Sequence, residues 1–210
     1  MGQAIVFCGL SAVMRCYRRK LPHWIPDDRV LFVTWRLAGS LHPRCPEFLS
    51  AENTGRASFM RKDKALDCST RGPFWLRDPR IARIVSDAIQ FGETGRHFYS
   101  LYAWAIMPNH VHVVFEPTVS LPSVMQWLKG RTSRSANRVL RRTGIPFWQD
   151  ESYDHWIRSS EELKETIGYV ESNPVKAGLV ESAEEWPWSS AHFKADDRKR
   201  SSAPRSDPGF

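Results

Sequence analysis

Residues 98–115 constrain the fold of this chain more than any other stretch. Phe98 to Ile106 and His110 to Phe115 are two apolar, β-branched and aromatic runs, separated only by Met107-Pro108-Asn109. Such runs on either side of a proline-containing turn predict an antiparallel hairpin. A hairpin with two apolar faces is not stable alone in water, so it requires further strands beside it and helices over it. Val30 to Leu37 (VLFVTWRL) supplies one such strand, and Phe147 to Arg158 contains a short further one.

Three segments carry helical spacing. Asp78-Pro79 is an N-cap followed by proline at the first helical position; Ile81, Ile84, Val85, Ala88 and Ile89 follow, and the pattern stops near Gly92. Leu121 to Arg142 is helical, with Val124, Trp127, Leu128 and Val139 on the apolar side. Ser159 and Glu162 form a capping box ahead of Leu163, Ile167 and Val170, with Pro174 and Gly178 expected to end that helix. Residues 43–73 show little periodicity and read as a long surface excursion. The order strand, helix, strand, strand, helix, short strand, helix predicts an α+β fold, a ferredoxin-like antiparallel sheet with helices on its faces.

Three constellations point to chemistry. In a strand, His110 and His112 emerge side by side on one face while Val111 points into the core, a natural pair of ligands for a divalent metal. The same spacing also fits two half-exposed structural histidines. Tyr169 and Asn173, four residues apart, stack on one helix face distinct from that of Leu163, Ile167 and Val170; a surface tyrosine followed by an asparagine cap gives the same pattern. Together they fit one reaction. A tyrosine can attack a DNA phosphodiester and hold the strand covalently, helped by a metal on His110, His112 and the Asn173 oxygen. A site completed by oxygen suits Mg²⁺ or Mn²⁺.

The third constellation is charge. The chain carries a net +7, and Lys129, Arg131, Arg134, Arg138, Arg141 and Arg142 lie in a stretch, residues 117–149, without Asp or Glu. Arg131, Arg134, Arg138 and Arg141 recur at three- and four-residue spacing, giving a basic helix face able to track a phosphate backbone. Trp148, Tyr153, Trp156, Trp186 and Trp188 offer surfaces on which unpaired bases stack. Asp154 and His155 are candidates for supporting the site.

What the composition excludes is equally useful. No apolar run reaches the roughly 18 residues of a membrane span. Cys8, Cys16, Cys45 and Cys68 are scattered without a CxxC, which argues against zinc knuckles and a disulfide-stapled secreted fold. In Ala4 to Met14 the apolar run precedes its positive charges, the reverse of a secretory signal, so a cytoplasmic protein is expected. Residues 1–18 read as an extension, with Met14 as an alternative start; 19–193 as one catalytic domain; and 194–210 as a disordered polar tail.

Trp104 to Val114 (WAIMPNHVHVV) resembles the His-hydrophobic-His motif of the single-tyrosine HUH transposases, the IS200-like superfamily. Trp148-Gln149, Asp154-His155-Trp156-Ile157-Arg158, Tyr169 to Val180 (YVESNPVKAGLV) and Glu185-Trp186-Pro187-Trp188-Ser189-Ser190 are similar to the bacterial REP-associated tyrosine transposases, as are Leu21-Pro22-His23-Trp24 and Gly72-Pro73-Phe74-Trp75-Leu76. The resemblance implies a metal on His110 and His112, Tyr169 as nucleophile, and single-stranded DNA cleavage at hairpin repeats through a 5′-phosphotyrosine. Related insertion-sequence enzymes place Gln one turn after the tyrosine; here, as in the REP-associated branch, Asn173 takes that place. The resemblance implies a REP-like hairpin as partner in the bacterial nucleoid, and leaves monomer and homodimer both open. Competing readings are a rolling-circle-type nickase, a catalytically inactive hairpin DNA or RNA binder, and a metal enzyme acting on small molecules.

Overall fold

The alternation of Leu31-Phe32-Val33-Thr34-Trp35-Arg36 lays down the central strand of the molecule, because successive side chains of a strand point to opposite faces. The computed structural model describes residues 14–18, 22–26, 29–40, 63–67 and 72–202, without the side chains of 14–18, 22–26 and 198–202. Strands β1 (Met14–Arg18) and β2 (Pro22–Pro26) form an antiparallel ribbon of their own that sequence periodicity did not signal. Expectations for 1–13 and 203–210 lie outside the described residues, as do the side chains of all four cysteines.

The main sheet contains β3 (Leu31–Arg36), β4 (Tyr99–Ile106), β5 (His110–Pro117) and β6 (Tyr153–Trp156), in the order β4-β5-β3-β6 with every pairing antiparallel. With helix α1 (Pro79–Thr94) between β3 and β4, and α2 (Leu121–Val139) between β5 and β6, this is the expected ferredoxin-like α+β arrangement. Two further helices follow, α3 (Ser160–Lys176) and α4 (Ser190–Ser202).

The sheet divides the interior into two cores. Leu31, Val33, Trp35, Val111, Val113 and Phe115 pack with Ile81, Val85 and Ile89 of α1 and Val124 and Leu128 of α2. Phe32, Ala105 and Val114 on the opposite face pack with Val170 of α3, flanked by Leu163, Ile167 and Tyr169. The β4 register shifts between Leu101 and Ala103, so Tyr102 and Ala103 both fall on the α3 face. This bulge keeps Trp104 and Ile106 in the α1–α2 core.

Several elements depart from the sequence pattern. Asp63 and Leu66, in a helical turn at 63–67 within the expected surface excursion, are buried at 1% and 5% exposure. Leu66 gives its carbonyl to Asn109 Nδ2 at 2.9 Å, which fastens the turn to the β4–β5 connection. Helix α2 ends at Val139, and Arg141 sits beyond it at φ 53°, so Arg141 and Arg142 are not on the helix. Pro174 does not stop α3. It lies inside the helix, which ends only at Lys176 before Gly178 at φ 67°. The polar segment from Lys194 begins as helix, held by Phe193 against Trp104 and by Lys194 on Glu171 at 2.7 Å.

Candidate active site and metal centre

Pairing places the site on the α3 face of the sheet. Thr34 lies opposite His112 and Arg36 opposite His110, so both imidazoles project from β5 beneath α3. Both are completely buried. Asn109 Nδ2 is committed to the Leu66 carbonyl, which turns its Oδ1 to His110 Nδ1 at 2.7 Å. Nδ1 of His110 therefore donates, which leaves the lone pair of the ring on Nε2. Thr34 Oγ1 stands 2.7 Å from His112 Nδ1 and can accept in the tautomer that puts the lone pair on Nε2.

The two Nε2 nitrogens lie 2.9 Å apart. Asp63 Oδ1 is 3.2 Å from His112 Nε2 and 3.5 Å from His110 Nε2. Ligands adjacent on an octahedral cation at the Mg²⁺ bond length of ~2.1 Å stand about 3 Å from one another, so these separations fit a single small cation. Asn173 is buried beside them, its Nδ2 3.2 Å from His112 Nε2. Asn173 Oδ1 and Asp63 Oδ1 are buried without hydrogen-bond partners. Rotating the amide by 180° exchanges its oxygen and nitrogen and offers the cluster a further oxygen. Converging lone pairs and orphaned oxygens are what a cation satisfies, and Asp63, His110 and His112 fit one.

Helix α3 delivers Tyr169 and Asn173 from one face. The Tyr169 hydroxyl donates to Asp63 Oδ2, so a single carboxylate touches both the ligand cluster and the phenol. The Tyr169 ring meets Phe32 edge-on at 6.1 Å and His112 at the same distance, and Lys176 Nζ lies 4.6 Å from its centroid.

Electrostatics follow burial and neighbours. Burial, then His112, push His110 down to about 3, so it is neutral near pH 7. Burial alone would raise the Asp63 carboxyl, but His112, His110 and the Tyr169 hydrogen bond hold it well below the usual carboxylate range. Asp67, 3.8 Å from His110 Nε2, is pushed up to about 7 by burial and by the Asp63 charge. Burial and Asp63 raise the Tyr169 hydroxyl above its ordinary value.

The structure thus gathers His110, His112, Tyr169 and Asn173. It does not gather Asp154, which shares the face of its partner Val33 on the other side of the sheet. His155 lies on the α3 face but is held 2.8 Å from Glu162 at the start of the helix, tying β6 to α3. Lys129 donates to the carbonyls of Gln149, Asp150 and Glu151. Trp148 is core and bonds Thr132, Trp186 bonds the Ile106 carbonyl, and Trp188 packs on the core, so these rings serve the fold. Arg131, Arg134, Arg138 and Arg141 are exposed on the α2 side. Sequence reasoning missed Asp63; its one signal was Asp63-Lys64-Ala65-Leu66-Asp67, two carboxylates one helical turn apart.

Residues 86–173 match the family Transposase IS200 like, a span that contains both histidines, Tyr169 and Asn173. Over this span the chain is similar to the IS200-like transposases. Asp63 lies outside the matched span. A REP-associated tyrosine transposase of Escherichia coli (strain K12) is 26% identical over 95 residues, 45% of this chain and 55% of the relative. A Haemophilus influenzae protein of the same description is 28% identical over 116 residues, 49% of this chain and 65% of the relative. The chain therefore spans between half and two thirds of the length of these curated relatives. A solved REP-associated tyrosine transposase bound to a REP hairpin shares the fold, with a TM-score of 0.54 at 20% identity, covering 92% of this chain and 91% of that one. Among the described residues no helix is long and apolar enough to cross a membrane.

Proposed function

We propose that this chain is a metal-dependent single-stranded DNA endonuclease and strand transferase, a transposase in the cytoplasm that cuts beside REP-like hairpins through a 5′-phosphotyrosine on Tyr169. The observation that carries the reading is the Tyr169 hydroxyl set against the cluster of Asp63, His110 and His112. The protein whose hairpin complex shares this fold supports the choice of partner. The catalytic unit is taken as 19–193.

His110, His112, Asp63 and Asn173 would hold Mg²⁺ or Mn²⁺, which when bound supplies Lewis-acid polarisation of a phosphate oxygen. Asp63 Oδ2 aims the Tyr169 hydroxyl and takes its proton. The phenolic oxygen forms a bond to phosphorus as the bond to the 3′-oxygen breaks. That oxygen leaves with the bonding pair and is protonated from solvent. The strand stays on Tyr169 through its 5′-phosphate, so a later 3′-hydroxyl reverses the step and joins DNA without ATP. Arg131, Arg134, Arg138 and Arg141 grip the phosphate backbone from the α2 face.

The test is incubation with Mn²⁺ and 3′-labelled single-stranded hairpins taken from repeats flanking the gene. The label stays on the fragment bearing the 5′-phosphate, so a denaturant-stable labelled adduct is expected. Tyr169→Phe should abolish it at unchanged hairpin affinity, and the double change of His110 and His112 to Ala should abolish adduct and metal dependence together. Salt-dependent binding with no adduct under any metal would assign the chain to inactive hairpin binders.

A further inference from the structure

The face of α3 that carries Tyr169 and Asn173 continues to Lys176, because positions i, i+4 and i+7 of a helix share one side. Its ammonium lies 4.6 Å from the Tyr169 ring centroid, and the residue is exposed. A cleft lined by Asp67, Asn109, Ala177 and Leu179 lies at the C-terminal end of the same helix.

Charge decides what this lysine is for. Asp63, and Asp67 once it is deprotonated, bring up to two negative charges to the site, which a divalent cation offsets. A phosphodiester entering beside Tyr169 adds a further negative charge. Arg36, opposite His110, is turned to Ser40 Oγ at 3.3 Å, whereas Lys176 sits on the nucleophile itself. An attacked phosphorus lies about 3–3.5 Å from the phenolic oxygen. A lysine tip released from the ring then reaches a non-bridging oxygen of that phosphate at the ~2.7–2.9 Å of a charge-assisted hydrogen bond.

We propose that Lys176 is a catalytic residue that binds the scissile phosphate and neutralises the charge building on it as Tyr169 attacks. This rests on the strand-transfer reading above. The chemistry is the balanced exchange already written: the bond from Tyr169 Oη to phosphorus forms, the bond to the 3′-oxygen breaks, and Lys176 keeps its proton throughout. The alternative is a lysine that merely covers an aromatic ring near the C-terminal end of its helix.

The deciding experiment compares wild type, Lys176→Gln and Lys176→Arg with Mn²⁺ and the 3′-labelled hairpin. It reads single-turnover adduct formation at saturating protein, hairpin affinity by anisotropy, and the melting temperature. A second reading uses Tyr169→Phe, with and without Lys176→Gln, on the hairpin and on a copy whose cut phosphate, mapped with wild type, is a neutral methylphosphonate. Lys176→Gln should slow adduct formation about 100-fold, as loss of one transition-state charge partner does, while hairpin affinity stays within about two-fold and Lys176→Arg restores the rate to within about ten-fold. The methylphosphonate should weaken binding to Tyr169→Phe only by about as much as Lys176→Gln does, and add nothing further once Lys176 is Gln. A Lys176→Gln rate equal to wild type, or a loss confined to the melting temperature, overturns the role of Lys176 alone. Absence of adduct from wild type itself overturns the strand-transfer reading and this proposal with it.

Discussion

At the residue scale, the candidate centre depends on groups that never touch a metal. Thr34 fixes the His112 ring through Nδ1, and Asn109 does the same for His110 while holding Leu66. Thr34→Val keeps the shape of the buried side chain and removes only the hydroxyl. It should weaken Mn²⁺ binding, followed by calorimetry or spin resonance, by about 10–100-fold, the usual cost of losing a partner behind a ligand. A metal affinity unchanged in Thr34→Val would remove Thr34 from the centre. His110, His112, Tyr169 and Asn173 were legible in sequence because each pair obeys a local spacing, two residues on a strand or four on a helix. Asp63 obeys none, since it meets Tyr169 across 106 residues of chain. A five-residue turn between long connections is also too short to show periodicity.

At the element scale, start and stop signals read well where one side chain performs the capping. Asp78 accepts from the Arg80 amide at 2.9 Å with Pro79 at the first helical position. The side-chain hydrogen bond from Arg80, with the backbone bond, holds the Asp78 carboxyl below its ordinary value. A depressed carboxyl stabilises the fold above its unfolded pKa and loses that contribution as pH falls through the folded value. Asp78→Ala should therefore cost about 1 kcal/mol at pH 7 by denaturant unfolding, and the gap to wild type should close below about pH 4. An undiminished gap in acid would show that the cap works without its charge. The α3 terminus was misread at Pro174 because a proline removes one backbone donor and disfavours helix before it. Here the Ala177 and Leu179 amides bond the Asn173 and Pro174 carbonyls and carry the chain on to Gly178. The Tyr102 bulge was equally invisible, since strict alternation through β4 would have sent Trp104 to the wrong face.

At the scale of the whole molecule, the sheet stands between the exposed arginines of α2 and the phenol on α3. If the arginines grip DNA, changing Arg131, Arg134 and Arg138 to Gln should lower the salt slope of hairpin binding by about 2–3, measured as log affinity against log salt. The rate of adduct formation at saturating hairpin should not change. An unaltered slope would place the DNA elsewhere. The partition has a metric consequence. Helix and sheet layers are each about 10 Å deep, so a strand that leaves a stem on the α2 side crosses some 15–20 Å before it meets Tyr169, about four to six nucleotides at ~3.4 Å each. The thickness of the protein then works as a ruler. Oligonucleotides with a shorter spacer between stem and cut should be held as tightly as the full-length hairpin and left whole.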